Sequence, residues 1–483
     1  SSMGSHKKLH VVLIPLPAQG HVIPIIYLAR KLALLGVTVT IINVDSIHET
    51  LQQSWKSEDN PVSNGHDIRL ESISMDLQVP NGFDEKNFDA QAAFCEAIFR
   101  MEDPLAELLS RIDRDGPRVA CVVSDFYHLS APHAAKKAGL AGASFWPGNA
   151  TWAAIEFHVP KLLEMGDVPV KGEALIDLEV YEKLISYIPG MEIRSQDIPV
   201  FMHDGEFQKT GEEQSLYRSK RIALDSWFLI NSVHDIEPRI FEAMREGFGE
   251  NFVPVGPLFP LKGEAIDSTG LQEVNLRTPD ESCLPWLDER DRGSVLYVSF
   301  GSISFMTAKQ FEEIALGLEA SKVSFLWVIR SNSVLGMDEE FYKGFMSRTG
   351  GRGLFVRWAP QLEILQHEST GAFLTHCGWN SMLESLACGV PMLGWPSMFE
   401  QNTNAKLVLE GEGVGVAFSR SGGKDGFAPR EEVEEKVRAI MEGEQGRRLK
   451  ARAMEIRELA VKAASPGGSS HTNLKKFVES LAS

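Results

Sequence analysis

Two histidines and two acids stand where chemistry would need them. His21 follows the apolar run 9–16 and the turn segment ending at Gly20, and it precedes a helical pattern whose first turn holds Pro24, a position where a missing backbone N–H costs nothing. Asp125 follows the strand-like run 119–124. Both therefore fall at carboxyl ends of strands in one parallel sheet, the edge where open α/β sheets bind ligands, and they can meet despite their separation in sequence. A neutral imidazole is the usual base for taking a proton from a hydroxyl. A helix start disfavours the imidazolium, whereas an adjacent carboxylate stabilises it once formed and fixes the tautomer; the opposing effects leave His21 neutral in the resting state. The plain alternative is a helix-start His and a strand-end Asp with no partnership.

His376 belongs to a different pattern. The run 371–375 reads as a buried strand, followed by His376, Cys377 and Gly378 and then by a helical pattern over 379–388 that opens with Asn380 and Ser381. A strand that passes through a glycine turn into a helix start leaves backbone N–H groups unpaired and aims the positive end of the helix dipole at the strand's carboxyl edge. Phosphate binds at such a place. The stretch 358–401 contains no Lys and no Arg, so a phosphate here would be held by backbone donors, hydroxyls, the dipole and His376. Ser381 and Glu384 also fit a capping box, as do Thr307 and Gln310. Gly301 and Ser302 end another strand, where glycine permits close approach of backbone to a ligand.

From Trp358-Ala359-Pro360-Gln361 through HCGWNS (376–381) and LES (383–385) to GVP, WP and the closing Glu400-Gln401, the stretch resembles the signature box of plant secondary-product UDP-glycosyltransferases. PAQGHVIP (17–24), VVSDF (122–126), VSFGS (298–302) and GGSSHTNL (467–474) fit the same family, so the resemblance covers essentially the full chain. It implies the α/β GT-B fold, two Rossmann-like domains with parallel sheets facing across a cleft, and places the last helix back on the first domain. It implies His21 as base and Asp125 as its support. It assigns the uracil to the Trp358 indole, with Ala359 and Gln361 beside it, and the ribose hydroxyls to Glu384, in competition with the capping role. The diphosphate goes to His376, Ser302 and the helix start at Gly378, Asn380 and Ser381, with Gly20 also near the donor. The sugar hydroxyls go to Trp379, Glu400 and Gln401; Gln at the closing position accompanies glucose, although Gln401 also suits a plain helix start.

The elements that would position these residues alternate. Strand-like runs at 9–16, 37–43, 68–73, 119–124 and 225–230 are separated by helical patterns near 23–35, 88–111, 131–138 and 235–246, the pattern of a parallel sheet with crossover helices. After a Pro/Gly-rich segment at 256–279, strands at 294–300, 323–329, 371–375 and 391–395 alternate with helices near 307–320, 379–388 and 399–410. The expected domains are 1–256 for the acceptor, 257–465 for the UDP-sugar, and a returning tail at 466–483. A chain of 483 residues is long enough for two cores.

Composition excludes several classes. A net charge of −18 opposes nucleic acid or an anionic membrane as partner, since either needs a basic face. Five widely spaced cysteines with no C-x-x-C pair suit a reducing compartment, and no apolar segment is long enough to span a bilayer. Ser1 and Ser2 read as added residues before a native Met3. Asp113-Arg114-Asp115 mimics a D-x-D metal motif but reads as a turn against Gly116-Pro117; no His/Cys cluster has metal spacing, and dinucleotide and P-loop fingerprints are missing.

The expected activity is inverting, metal-independent transfer of glucose from UDP-glucose, a co-substrate with no further cofactor, to a hydroxyl of a small lipophilic plant metabolite. A cytoplasmic monomer is expected. Phe126, Phe145, Asn149 and Phe201 are candidates for the acceptor pocket. Aromatic density suits a flavonoid or other phenolic; a terpenoid or hormone is the alternative. A UDP-sugar epimerase of similar architecture and a silent nucleotide-sugar binder are the rivals.

Overall fold

The computed structural model describes residues 8–55, 67–75, 88–169, 182–203, 212–221, 225–261, 274–302, 304–331, 333–419 and 427–482. The reading of residues 1–3 and the middle of the 256–279 segment lie outside them. Two compact units form: one from Ser1–Phe157, Glu213–Leu276 and Lys462–Ser483, the other from His158–Glu212 and Arg277–Val461.

The first unit holds seven parallel strands: β1 (His10–Ile14), β2 (Thr38–Val44), β3 (Ile68–Ile73), β4 (Val119–Asp125), β5 (Gly142–Trp146), β6 (Phe228–Ile230) and β7 (Phe252–Pro254). Their order is β3-β2-β1-β4-β5-β6-β7. β1 and β2 are buried along their whole length, because crossover helices cover both faces of a parallel sheet and select near-continuous apolar runs. β5 and β7 were not legible as strands. β5 carries Phe145, one of the acceptor-pocket candidates, and Trp146.

The second unit repeats the plan with β8 (Val295–Ser299), β9 (Ser324–Val328), β10 (Gly353–Val356), β11 (Thr370–Thr375), β12 (Met392–Gly394) and β13 (Gly415–Ala417), in the order β10-β9-β8-β11-β12-β13. In each sheet the winding direction reverses at one place, between β1 and β4 and between β8 and β11. Ligands bind at such switch points, because the loops leaving two adjacent strands part to opposite sides there.

Helix α1 (Gln19–Leu34) starts earlier than expected, so His21 lies inside its first turn and Pro24 inside the helix. Pro24 is the sixth helical residue, past the amides left unpaired at a helix start, so its missing N–H does remove an intrahelical hydrogen bond, against the expectation that it costs nothing. Helix α2 (Ala308–Ser321) has its expected capping box: Gln310 N donates to Thr307 Oγ1 at 3.2 Å and Thr307 N to Gln310 Oε1 at 2.9 Å. Helices α3 (Trp379–Cys388) and α4 (Gln401–Ala405) follow β11 and β12. The 88–111 pattern is two helices, Phe88–Arg100 and Glu102–Asp115, and the second includes Asp113 to Asp115, so these residues end a helix and do not form a turn. Asp113 Oδ1 accepts from Val119 N at 2.7 Å, a purely local use.

One segment sits in another unit than the expected domain bounds placed it. Residues 158–212 group with the second unit, where Val200 N donates to Phe399 O at 2.6 Å and Asn402 Nδ2 to Ile198 O at 2.6 Å. The last helix, α5 (Ser469–Ser480), packs in the first unit. Ser470 Oγ donates to Gly256 O at 2.6 Å, Asn473 Nδ2 to Pro254 O at 2.9 Å, and Phe477 meets Trp227 edge-on.

Candidate active site

At the first switch point the register sets Ile14 of β1 beside Ser124 of β4. One residue further along, β4 ends on Asp125, while β1 runs through a short loop into α1 and delivers His21. His21 Nδ1 donates to Asp125 Oδ2 at 2.8 Å; the imidazole is partly exposed and the carboxylate wholly buried. Asp125 Oδ1 accepts from Tyr127 N at 2.8 Å. With Nδ1–H spent on Asp125, the lone pair of the neutral ring lies on Nε2, which makes that atom the proton acceptor. Tyr127, not singled out from the sequence, packs edge-on against His21 at 5.8 Å and stacks on Trp152 at 5.3 Å. The nearby His128 is buried and pushed down to about 4 by burial, so it stays neutral and carries no charge into the pair. Gly20 is exposed in the same first turn of α1.

At the second switch point β8 pairs with β11 so that Ser299 stands opposite Thr375. Beyond them come Gly301 and Ser302 on one side and His376, Cys377 and Gly378 on the other. His376 is buried, and its imidazole is pushed down to about 4 by burial and then by the Arg330 guanidinium, against a weaker pull from the Ser299 backbone. The ring therefore stays neutral and able to donate one hydrogen bond. It is wedged between two glycines. A Cβ on Gly301 or on Gly378 would come within 2.4 Å of His376 Nε2, and Gly301 also has φ +76°, conformationally cheap only for glycine. Cys377 adopts φ +66° without being glycine, a strained turn held by Asn404 Nδ2, which donates to Cys377 O at 2.9 Å, and by Thr375 Oγ1, which accepts from Cys377 N at 3.2 Å. That turn sets Gly378 as N-cap of α3 with no side-chain cap, and a helix start of this kind turns the positive end of its dipole toward an anion.

The capping-box alternative for Ser381 and Glu384 fails. Both lie inside α3, beyond its N-cap. Instead Gln361 Nε2 donates to Ser381 Oγ at 2.9 Å and to Glu384 Oε2 at 2.7 Å, while its Oε1 accepts from Tyr297 OH at 3.2 Å. Glu384 keeps some exposed surface, yet dense surroundings push its carboxyl up to about 7, with Gln361 pulling the other way. A carboxylate surrounded by protein atoms with no cation beside it has this character. Trp358 is half-buried beside Ala359, and the Arg277 guanidinium lies 5.0 Å over its ring. Trp379 is buried, Asn380 and Ser302 half-buried. Gln401 is the first residue of α4, and its Oε1 accepts from Ser397 N at 2.9 Å and Met398 N at 3.0 Å. That leaves its NH₂ as the group for a ligand. Glu400 Oε1 accepts from Asn404 Nδ2 at 3.1 Å.

The acceptor candidates need correction. Phe126, Phe145 and Asn149 are 0% exposed, with no surface to offer a ligand. Phe126 packs on Trp146 and Phe157; Asn149 caps Trp152 N through Oδ1 at 2.7 Å, and its carbonyl accepts from Trp146 Nε1 at 2.9 Å. Their aromatic and polar character serves the core under β5, a strand the sequence did not disclose. Phe201 is half-buried in a 3₁₀ turn of the second unit. Among the described residues no group of acids, His and Cys could hold a metal, all five cysteines are free, and no helix is long and apolar enough to cross a membrane.

Two doubly wound parallel sheets, each gathering polar residues at its switch point, define a GT-B protein. A family model described as UDP-glucoronosyl and UDP-glucosyl transferase matches residues 287–439. UDP-glycosyltransferase 85A3 of Arabidopsis thaliana is 35% identical across 99% of this chain and 97% of its own length. The 7-deoxyloganetin glucosyltransferase of Catharanthus roseus is 32% identical across 100% and 98%. Among solved structures, Os79 from O. sativa in complex with UDP superposes with a TM-score of 0.81 at 29% identity, covering 98% of this chain and 100% of that one. The chain belongs to the plant UDP-glycosyltransferases, enzymes that take a UDP-sugar as co-substrate.

Proposed function

We propose that the chain is an inverting, metal-independent O-glucosyltransferase that moves glucose from UDP-glucose to a hydroxyl of a small lipophilic metabolite, as a cytoplasmic monomer. The 2.8 Å contact between His21 and Asp125 at the β1/β4 switch point carries this reading. His21 Nε2 takes the acceptor's hydroxyl proton, the oxygen attacks the α-anomeric carbon, and the bond to the diphosphate breaks with its electrons passing to UDP, giving a β-glucoside. Asp125 stabilises the imidazolium as it forms. Positioning supplies much of the acceleration.

On the donor side, uracil stacks on the Trp358 indole, and the ribose hydroxyls donate to Glu384. The diphosphate is met by the α3 start, Ser302 and His376, and the sugar hydroxyls by Trp379, Glu400 and Gln401. For the acceptor, the relative named for 7-deoxyloganetin favours a compound of that kind over the flavonoid suggested by aromatic density.

The test is incubation with UDP-glucose and a panel of terpenoid, phenolic and hormone acceptors, read by mass spectrometry. A hexoside of at least one acceptor, with UDP-glucose unchanged when no acceptor is present, is expected. Acceptor-free conversion of UDP-glucose to another UDP-hexose would establish the epimerase instead.

A further inference from the structure

The stretch 358–401 brings no cation to the diphosphate, but the sheet order does. In the register of the second sheet, Ser299 of β8 is flanked by Val328 of β9 on one side and Thr375 of β11 on the other. Two residues past these lie Gly301, Arg330 and Cys377, so Arg330 emerges at the same carboxyl edge as His376.

Arg330 is 8% exposed. Its Nη2 donates to the carbonyl of Ser304 in the loop that follows Gly301. Gly301, Ser304 and Arg330 line one small pocket with space for no more than about one water molecule, and the Ser304 hydroxyl in it is buried without a hydrogen-bond partner. Arg277, over the Trp358 ring, is close enough to act on Arg330 electrostatically.

Neither guanidinium has a carboxylate partner among the described residues. Burial and then Arg277 push Arg330 down to about 10, and Arg330 in turn depresses His376. A buried cation beside a second cation with no counter-ion is costly unless a ligand supplies the negative charge. Such uncompensated charge at a switch point marks a functional site more often than a structural one.

We propose that Arg330, backed by Arg277, is the cationic support of the donor diphosphate, acting through space from behind Gly301 and not as a direct clamp. This rests on the reading of the second unit as the UDP-sugar site. The role separates from mere folding support because it concerns charge: it acts on a ligand in proportion to the phosphates the ligand carries. It also keeps His376 a neutral donor toward the diphosphate.

The experiment is calorimetric titration of UDP, UMP and uridine into the full chain, as wild type, Arg330→Gln, Arg330→Lys and Arg277→Gln, at two salt concentrations. Loss of a charged partner should weaken UDP about tenfold or more, UMP less, and uridine by less than about twofold; Arg330→Lys should restore most of the UDP affinity. The salt dependence of UDP binding should flatten in Arg330→Gln. Equal loss for UDP and uridine, or no loss for either, overturns the proposal. Should Arg330→Gln fail to fold, Arg277→Gln decides, since an unchanged ratio of UDP to uridine affinity in it also overturns the proposal. A wild-type chain that binds no UDP would instead remove the donor-site reading beneath it.

Discussion

His21 Nδ1 lies 2.8 Å from Asp125 Oδ2, while Asp125 Oδ1 is held by the amide of Tyr127. Both carboxylate oxygens are thus engaged, and the imidazole orientation follows from a group that cannot itself turn. Asp125→Asn keeps the shape but presents an amide to Nδ1, which destabilises both the useful tautomer and the imidazolium. It should lower kcat more than it raises the acceptor's KM, and His21→Ala should cost about 10²–10⁴ in rate with UDP affinity near wild type. Near-full turnover of either variant on an unactivated hydroxyl would detach the pair from the chemistry.

Gly378 offers a test of the phosphate site without backbone strain, since its φ is −65°. The added methyl of Gly378→Ala meets His376 Nε2 at 2.4 Å, and overpacking of this kind costs about 1–3 kcal/mol. That cost falls on folding and lowers the melting temperature, while UDP affinity, measured by calorimetry, should fall about tenfold or more because the displaced imidazole loses a hydrogen bond to a charged group. Unchanged UDP affinity would mean that His376 does not face the ligand.

Glu384 gives a pH dependence of definite sign. Burial raises its carboxyl to about 7 in the folded chain. It therefore adds full stability below the ordinary carboxylate range, and that contribution is lost as pH rises toward 7, because the unfolded chain ionises first. Ribose hydroxyls donate to the ionised form, so uridine, which has no phosphate to titrate, should bind tighter as pH rises from about 6 to 8, by up to about tenfold. Glu384→Gln should flatten that curve. A wild-type affinity independent of pH over this window would separate Glu384 from the ribose.

Gln401 has its amide oxygen committed to Ser397 and Met398, so Gln401→Glu keeps an oxygen for the loop anchor but replaces the NH₂ donor by a negatively charged acceptor. kcat/KM for UDP-glucose should drop about tenfold or more, because a buried hydroxyl loses its donor, while UDP binding changes less. The wild type should prefer UDP-glucose to UDP-galactose when both are assayed with the same acceptor; equal efficiency with the two donors would defeat the assignment.

Treatment with EDTA should leave turnover unchanged, since the proposed diphosphate site relies on amides, a helix start, an imidazole and nearby guanidinium charge. Strong inhibition that Mg²⁺ or Mn²⁺ reverses would show that a divalent cation shares that work.

Chain order and hydrophobic pattern were enough to read two parallel α/β units and the edge on which His21, Asp125 and His376 fall, whereas the roles of the signature residues from Trp358 to Gln401 rested on resemblance to a known family. Periodicity reports which segments are strands buried on both faces, and a turn into a helix start is a local event written in adjacent residues. Which strands lie side by side is not local. Only the sheet order set β9 next to β8 and so brought Arg330 to the carboxyl edge beside His376. β5 escaped although it is as long as β1, because its sequence GASFW opens on Gly, Ala and Ser and lacks the β-branched and aliphatic run that marks a buried strand, and Phe145 then passed for a pocket residue when it is wholly buried. Ser381 and Glu384 show the same limit from the other side. Their spacing permits a capping box, but the helix begins at Trp379, and Gln361, twenty residues before Ser381 in the chain, takes up both side chains as a hydrogen-bond donor. Side-chain direction follows from where a helix starts and what packs against it, and both are decided by contacts between segments distant in sequence.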